Sequence, residues 1–125
     1  MEPHSEPSIR VVMMPKDTNA HGTIFGGVIM SYIDQAGAVE AKRHGAGFLV
    51  TVAMREVVFH QPVYVGDLVS FYTRLVKIGR TSITVSVEVV SQPGEGLGQS
   101  VKVTEAEVTY VNLDENRRPV PIKRS

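Results

Sequence analysis

The 125-residue chain has no cysteine, which removes thiolate catalysis, disulfides and the usual zinc knuckles and fits a reducing cytoplasm. It also lacks net charge: thirteen basic and thirteen acidic residues balance to a formal +0, so no global field draws the protein to nucleic acid or anionic lipid. A polyanionic ligand would have to be held by local basic groups. No apolar run approaches the ~20 residues that span a bilayer. The start, MEPHSEPSIR, has no basic stretch leading into an apolar one, so no secretory signal is expected. These absences predict a cytoplasmic protein with neither membrane nor nucleic acid as partner. Composition shows no break and no internal repeat, so one domain is expected over 8–115, with flexible termini at 1–7 and 116–125.

Turn chemistry and periodicity divide that domain. Ser8 to Met14 reads as a short strand stopped by Pro15, and PKDTNAHG, Pro15 to Gly22, as a turn region. A helix is expected from about Gly26 to His44, ending at the glycines Gly45 and Gly47. Strands are expected over Phe48 to Phe59, Leu68 to Ile78, Thr81 to Val90 and Ser100 to Leu113, with the turn region QPVYVGD, the pair Gly79-Arg80 and a Gly-rich loop, Pro93 to Gly98, between them. The cleanest alternation sets Ile83, Val85, Val87 and Val89 against Ser82, Thr84, Ser86 and Glu88, the mark of a strand with one buried face. Hairpin-length links cannot make parallel crossovers. One strand, a long helix and four more strands are therefore satisfied by an α+β hotdog fold, an antiparallel sheet of about five strands wrapped around one central helix.

The helix raises the functional question. It opens on the pair Gly26-Gly27, and a helix N-terminus offers unpaired backbone N–H groups and a partial positive charge suited to a carboxylate, a phosphate or a developing oxyanion. Glycines let a ligand atom come close to that backbone, although tight packing against a strand also selects small residues. Stepping 100° per residue, Asp34 shares a face with Gly27, Met30, Ser31, Gly37, Ala38 and Ala41, and the first four turns are apolar nearly all round, as in a helix enclosed by other structure. A carboxylate in such surroundings is disfavoured in its charged form, which raises its pKa toward the range of a general base. A bond to a neighbouring backbone or hydroxyl group would explain Asp34 as well; its coincidence with a glycine-opened helix favours function. Gly27 and Asp34 lie about 10 Å apart along the axis at ~1.5 Å per residue, too far to engage one reacting carbonyl. Two antiparallel helices in a two-fold dimer would bring the amides of one subunit to Asp34 of the other.

NAHGTIFGGVIMSYIDQAGAVEAKRHG, with MPKDT before it and VTVAMREVVFHQPVYVGD after it, closely resembles the hotdog-fold acyl-CoA thioesterases of the YciA type. VKIGRTSITVSVEV and VTEAEVTYVNLD extend the resemblance from about Val11 to Asp114. It implies hydrolysis of acyl-CoA to free acid and CoA, with CoA as part of substrate and product and no separate cofactor. Asp34 would be the general base or nucleophile, and the amides at Gly26, Gly27 and Val28 would bind the thioester oxygen. Asn19, Gly22, Gly26 and Gly27 match the related Asn-x-x-Gly-x-x-His-Gly-Gly pattern, with Phe25 in place of its histidine and Thr23 where other members have Asn or Asp. Attack by water and attack by Asp34 itself, through an anhydride, both stay open. The resemblance also puts CoA contacts at KIGRTS, where Lys77, Arg80, Thr81 and Ser82 supply cations and donors, and suggests a trimer of dimers.

His21 precedes Asp34 by thirteen residues, and a hotdog dehydratase also combines a loop histidine with a helix acid, which makes 3-hydroxyacyl thioester dehydration the rival chemistry. A non-catalytic acyl-CoA sensor is the rival outside enzymes. His44 suits a helix C-terminus, His60 a structural strand end, and His4 lies in the loose start. No pair has metal-ligand spacing, so no metal is expected. Tyr32, Phe59, Met54 and Met30 are candidates to line an acyl tunnel, whose length the sequence leaves open.

Overall fold

The computed structural model describes residues 6–94 and 99–123. In chain order it has β1 (Ile9–Val12), a 3-10 turn at Pro15–Asp17, α1 (Gly26–Arg43), β2 (Phe48–Arg55), β3 (Leu68–Ile78), β4 (Ser82–Gln92) and β5 (Val101–Leu113). Five strands form one antiparallel sheet in the order β1-β3-β4-β5-β2. The chain leaves β1 at one edge, crosses the sheet as α1 and re-enters at the other edge as β2, so the helix lies over β3, β4 and β5. The expected strand–helix–four-strand order and the single central helix are both present.

Burial along α1 falls on one stripe: Ile29, Ile33, Ala36, Gly37, Glu40 and Ala41. These meet Val85, Val87, Val89, Phe71, Val108 and Tyr110 from the inner face of the sheet, and Tyr32 adds a tilted ring contact with Phe71 at 5.6 Å between centroids. Gly27, Met30, Ser31 and Gln35, on the opposite side, are exposed. The expectation of a helix enclosed all round therefore holds for one face only. A single copy of the sheet can cover about half of a helix, and the rest of this one is open.

Glu40, not Asp34, is the acid sunk in the core. It is 2% exposed and tied to Arg43 Nη1 at 2.7 Å, His44 Nε2 at 2.7 Å and Thr73 Oγ1 at 2.9 Å. The arrangement ties the last turn of α1 to β3, with the Arg43 cation at the negative end of the helix dipole.

Two strand ends differ from expectation. The strand expected to Phe59 stops at Arg55, because Glu56 takes a left-handed conformation with φ 62, and the chain then runs apart from the ladder until His60 N–H bonds to Val103 C=O at 2.8 Å. Beyond Leu113 the chain was expected to be a loose tail from 116. Instead Asp114 Oδ1 accepts the N–H groups of Asn116 and Arg118, Val120 N–H bonds to Asn112 C=O at 2.9 Å, and Ile122 is buried against the core. Most of the Gly-rich loop before β5, together with His4 and Arg124, lies outside the described residues. Among the described residues no helix is long and apolar enough to cross a membrane.

Candidate active site

Asn19 builds the approach to the helix. Its Oδ1 accepts from His21 N–H at 2.8 Å and Thr23 N–H at 3.2 Å, its Nδ2 donates to Thr23 Oγ1 at 2.8 Å, and its own N–H bonds to Thr23 C=O at 2.8 Å. Gly22, at φ 85, makes the left-handed corner of this loop. Asn19 and Thr23 are thus brought together, with the Asn19 amide spent on holding the loop. His21 is exposed at its tip and makes no side-chain bond to Asp34.

The loop delivers an uncapped helix. Phe25 occupies the N-cap at φ −57 and ψ 136 with no side chain bonded to the first turn, and it is 51% exposed. Phe25 N–H bonds to Asp17 C=O at 3.0 Å, and Val28 N–H turns back to Phe25 C=O at 3.0 Å. The expected Val28 donor is therefore used within the first turn. Among the described residues nothing accepts from Gly26 or Gly27, so these two N–H groups are the free donors at the positive end of the dipole. The Phe59 ring lies across Gly26, where a Cβ would come within 3.2 Å of Cε2, while a Cβ on Gly27 would meet nothing within 4 Å.

Asp34 is half-buried at the edge of the open helix face. Thr51 Oγ1, from the edge strand β2, donates to Asp34 Oδ1 at 2.7 Å, and Oδ2 has no protein partner among the described residues. Tyr110 Oη, from β5, donates to the Asp34 main-chain carbonyl at 2.5 Å. Burial, and next the negative charge of Asp34 and the hydrogen bond to it, push the Tyr110 hydroxyl well above the usual tyrosine pKa. Neither Thr51 nor Tyr110 was among the residues predicted from sequence. The link depends on a bulge at Val52: Thr51 pairs with Tyr110 and Ala53 with Thr109, so Val52 is left over. A bulge re-aims the side chains around it. Here Thr51 and Met54 both face the helix side, Thr51 on Asp34 and Met54 against the core.

Within one protomer the free amides and Asp34 stand at different levels of one helix, about 10 Å apart by helix rise. The open face between them adjoins β2, a free sheet edge on which Phe48 is 65% and Val52 56% exposed. Lys77 and Arg80 flank the β3–β4 turn, closed by Gly79 N–H to Ser82 C=O at 2.8 Å. Both cations are exposed, and neither side chain has a partner among the described residues. Thr81 and Ser82 are half-buried beside them, and Thr81 C=O accepts Asn112 N–H at 2.8 Å.

Residues 21–98 match the family model described as the thioesterase superfamily. The acyl-CoA thioester hydrolase YciA of Escherichia coli K12 is 42% identical over 119 residues, 94% of this chain and 90% of that protein. A hexameric hotdog-fold thioesterase of Campylobacter jejuni is 44% identical, with a TM-score of 0.88 over 95% of this chain and 91% of that one. The acyl-CoA hydrolase of Staphylococcus aureus, solved with butyryl-CoA, CoA and CoA disulfide, is 27% identical, with a TM-score of 0.83 over 93% of this chain and 70% of that one.

Proposed function

The chain belongs to the thioesterase superfamily and has the hotdog fold, and on that premise we propose that it hydrolyses acyl-CoA to free acid and CoA, with Asp34 as general base and the Gly26 and Gly27 amides as oxyanion donors. The observation that carries this assignment is the half-used carboxylate: Thr51 holds Oδ1 at 2.7 Å and leaves Oδ2 free. A water on Oδ2 gives up a proton as its oxygen bonds to the acyl carbon, and the carbonyl oxygen takes the negative charge against the two amides. Collapse of that intermediate breaks the C–S bond, and the proton on Asp34 passes to the departing thiolate.

Donors and base belong to different subunits in this reading. The open helix face and the free, apolar β2 edge support pairing with a second copy, in which the helices lie antiparallel and the amides of one copy face Asp34 of the other. Further association of such dimers follows the hexameric relatives. Lys77 and Arg80, unpaired at their turn, would take the CoA phosphates, with Thr81 and Ser82 as nearby donors.

Thiol release from acetyl-, butyryl-, hexanoyl-, palmitoyl- and benzoyl-CoA tests the proposal in the wild type and in Asp34→Asn at matched oligomeric state. The expected result is turnover of several esters and a loss of at least ~100-fold in the mutant, the scale of a missing general base. Binding of CoA esters without thiol release by the wild type would refute it.

A further inference from the structure

We infer that Tyr110 is a positioning residue for Asp34, and that Gly37 is the notch that admits it. The inference rests on the reading of Asp34 as the reacting acid. Tyr110 is 1% exposed, and its Oη donates to the Asp34 carbonyl. That carbonyl already belongs to the helix ladder, where it faces the N–H of Ala38. Its second lone pair takes the tyrosine, so the bond is an addition to the helix, not a repair of it. A phenylalanine would fill the same core volume without a buried hydroxyl that has to be satisfied.

The cost of keeping the hydroxyl falls on residue 37. A Cβ there would run into Tyr110 Oη and come within 3.0 Å of Val85 Cγ2 and 3.2 Å of Tyr110 Cζ. Glycine in a helix interior is destabilising relative to alanine. A chain that carries both the glycine and the hydroxyl gains a fixed height and rotation of the helix turn that bears Asp34. β5, flanked by β4 and β2, is the rigid support. Because Tyr110 pairs with Thr51 across β5 and β2, the main chain of Asp34 and its carboxylate are held from one rung of the sheet.

The test compares Tyr110→Phe with Val89→Ala, a core truncation four residues along β4 from Val85, and with Asp34→Asn. Steady-state kinetics on butyryl-CoA and calorimetric Tm are measured for each. For Tyr110→Phe, kcat should fall about tenfold with KM within about twofold, less than the hundredfold that a 1 Å misplacement costs, while Val89→Ala should lose more Tm and less kcat. Gly37→Ala supplies the second arm: its loss in kcat should be smaller in the Tyr110→Phe background than in the wild type, since the hydroxyl it collides with is gone. If Asp34→Asn is inactive but Tyr110→Phe loses no more kcat than Val89→Ala, the inference is wrong and the function stands. If Asp34→Asn stays active, the catalytic reading is wrong and the positioning role fails with it.

Discussion

Thr51 and Tyr110 are direct partners across the β2–β5 ladder, and both bond to Asp34, the first to its carboxylate at 2.7 Å and the second to its carbonyl at 2.5 Å. The two supports differ in stiffness. Tyr110 is buried in an interior strand, whereas Thr51 is exposed on a strand whose outer edge is free. Pairing of that edge with a second copy would order Thr51, and through it the carboxylate, in the same event that brings in the opposing amides. Assembly and acid geometry are then coupled through β2.

Replacing Thr51 by valine keeps the shape and strand propensity and removes the donor. We expect kcat to fall about tenfold, the order of one hydrogen bond to a charged group at about 1.5 kcal/mol, with Tm almost unchanged because the side chain is exposed. Thr51→Ser keeps the hydroxyl and should retain most of the activity. Initial rates and calorimetry on the three proteins check both statements.

Gly26 and Gly27 should respond differently to alanine. At Gly27 a Cβ has open space, so the helix gains roughly 0.5–1 kcal/mol while the methyl group blocks approach to the free amide. Activity should drop on the order of 100-fold, as for a lost oxyanion donor, in a protein that needs more urea to unfold. At Gly26 the methyl group meets Phe59 at 3.2 Å, so no gain in stability is expected. A urea titration and a thiol-release assay on each variant separate the two.

The extent to which the site was legible follows from these same residues. Helical periodicity located α1, and the boundaries of β3 were read to the residue, because glycine and proline punctuate that stretch and apolar alternation continues next to it in β4. The 100° projection grouped Asp34 with Gly37 and Ala41, but it could not say which side of the helix the sheet would take. The sheet took the side that carries Glu40, a residue the projection did not single out. Thr51 and Tyr110 lie far apart in sequence and meet through a register that the Val52 bulge sets; no local pattern encodes that pairing. The Phe48 to Phe59 run was overextended because Val57 and Val58 favour strand, while the turn at Glu56 needed a positive φ on a residue with no special preference for it.

Substitutions of Glu40 and Asp34 should therefore act in opposite ways. Glu40→Gln weakens bonds to Arg43, His44 and Thr73 and should cost about 1.5–3 kcal/mol, the range for hydrogen bonds to a charged group, with kcat at a permissive temperature near that of the wild type. Asp34→Asn should do the reverse, keeping Tm and losing turnover. Calorimetry and kinetics on the same two preparations give the result, and a Glu40 variant that is stable but inactive would contradict the assignment.

Tyr110 also sets a pH dependence. Its folded pKa is raised above the ordinary value of about 10, first by burial and then by Asp34. Below that value both folded and unfolded chains hold the proton, and the group's contribution is fully present. As pH rises above it, the unfolded chain gives up the proton while the folded chain keeps it, so stability is lost, by up to about 1.4 kcal/mol per pH unit for one proton, until the folded pKa is passed. Lys102, held up chiefly by its hydrogen bond to Glu105, also loses its contribution as pH rises through its folded value, but it does so equally in wild type and Tyr110→Phe. Urea unfolding at pH 9, 10 and 11, at fixed protein concentration, should show the wild type losing stability faster than Tyr110→Phe above pH 10, with the gap between them closing or reversing as pH rises. Parallel slopes would mean that the buried hydroxyl titrates as freely in the folded protein as in the unfolded chain, and that its hold on Asp34 is weaker than the geometry implies.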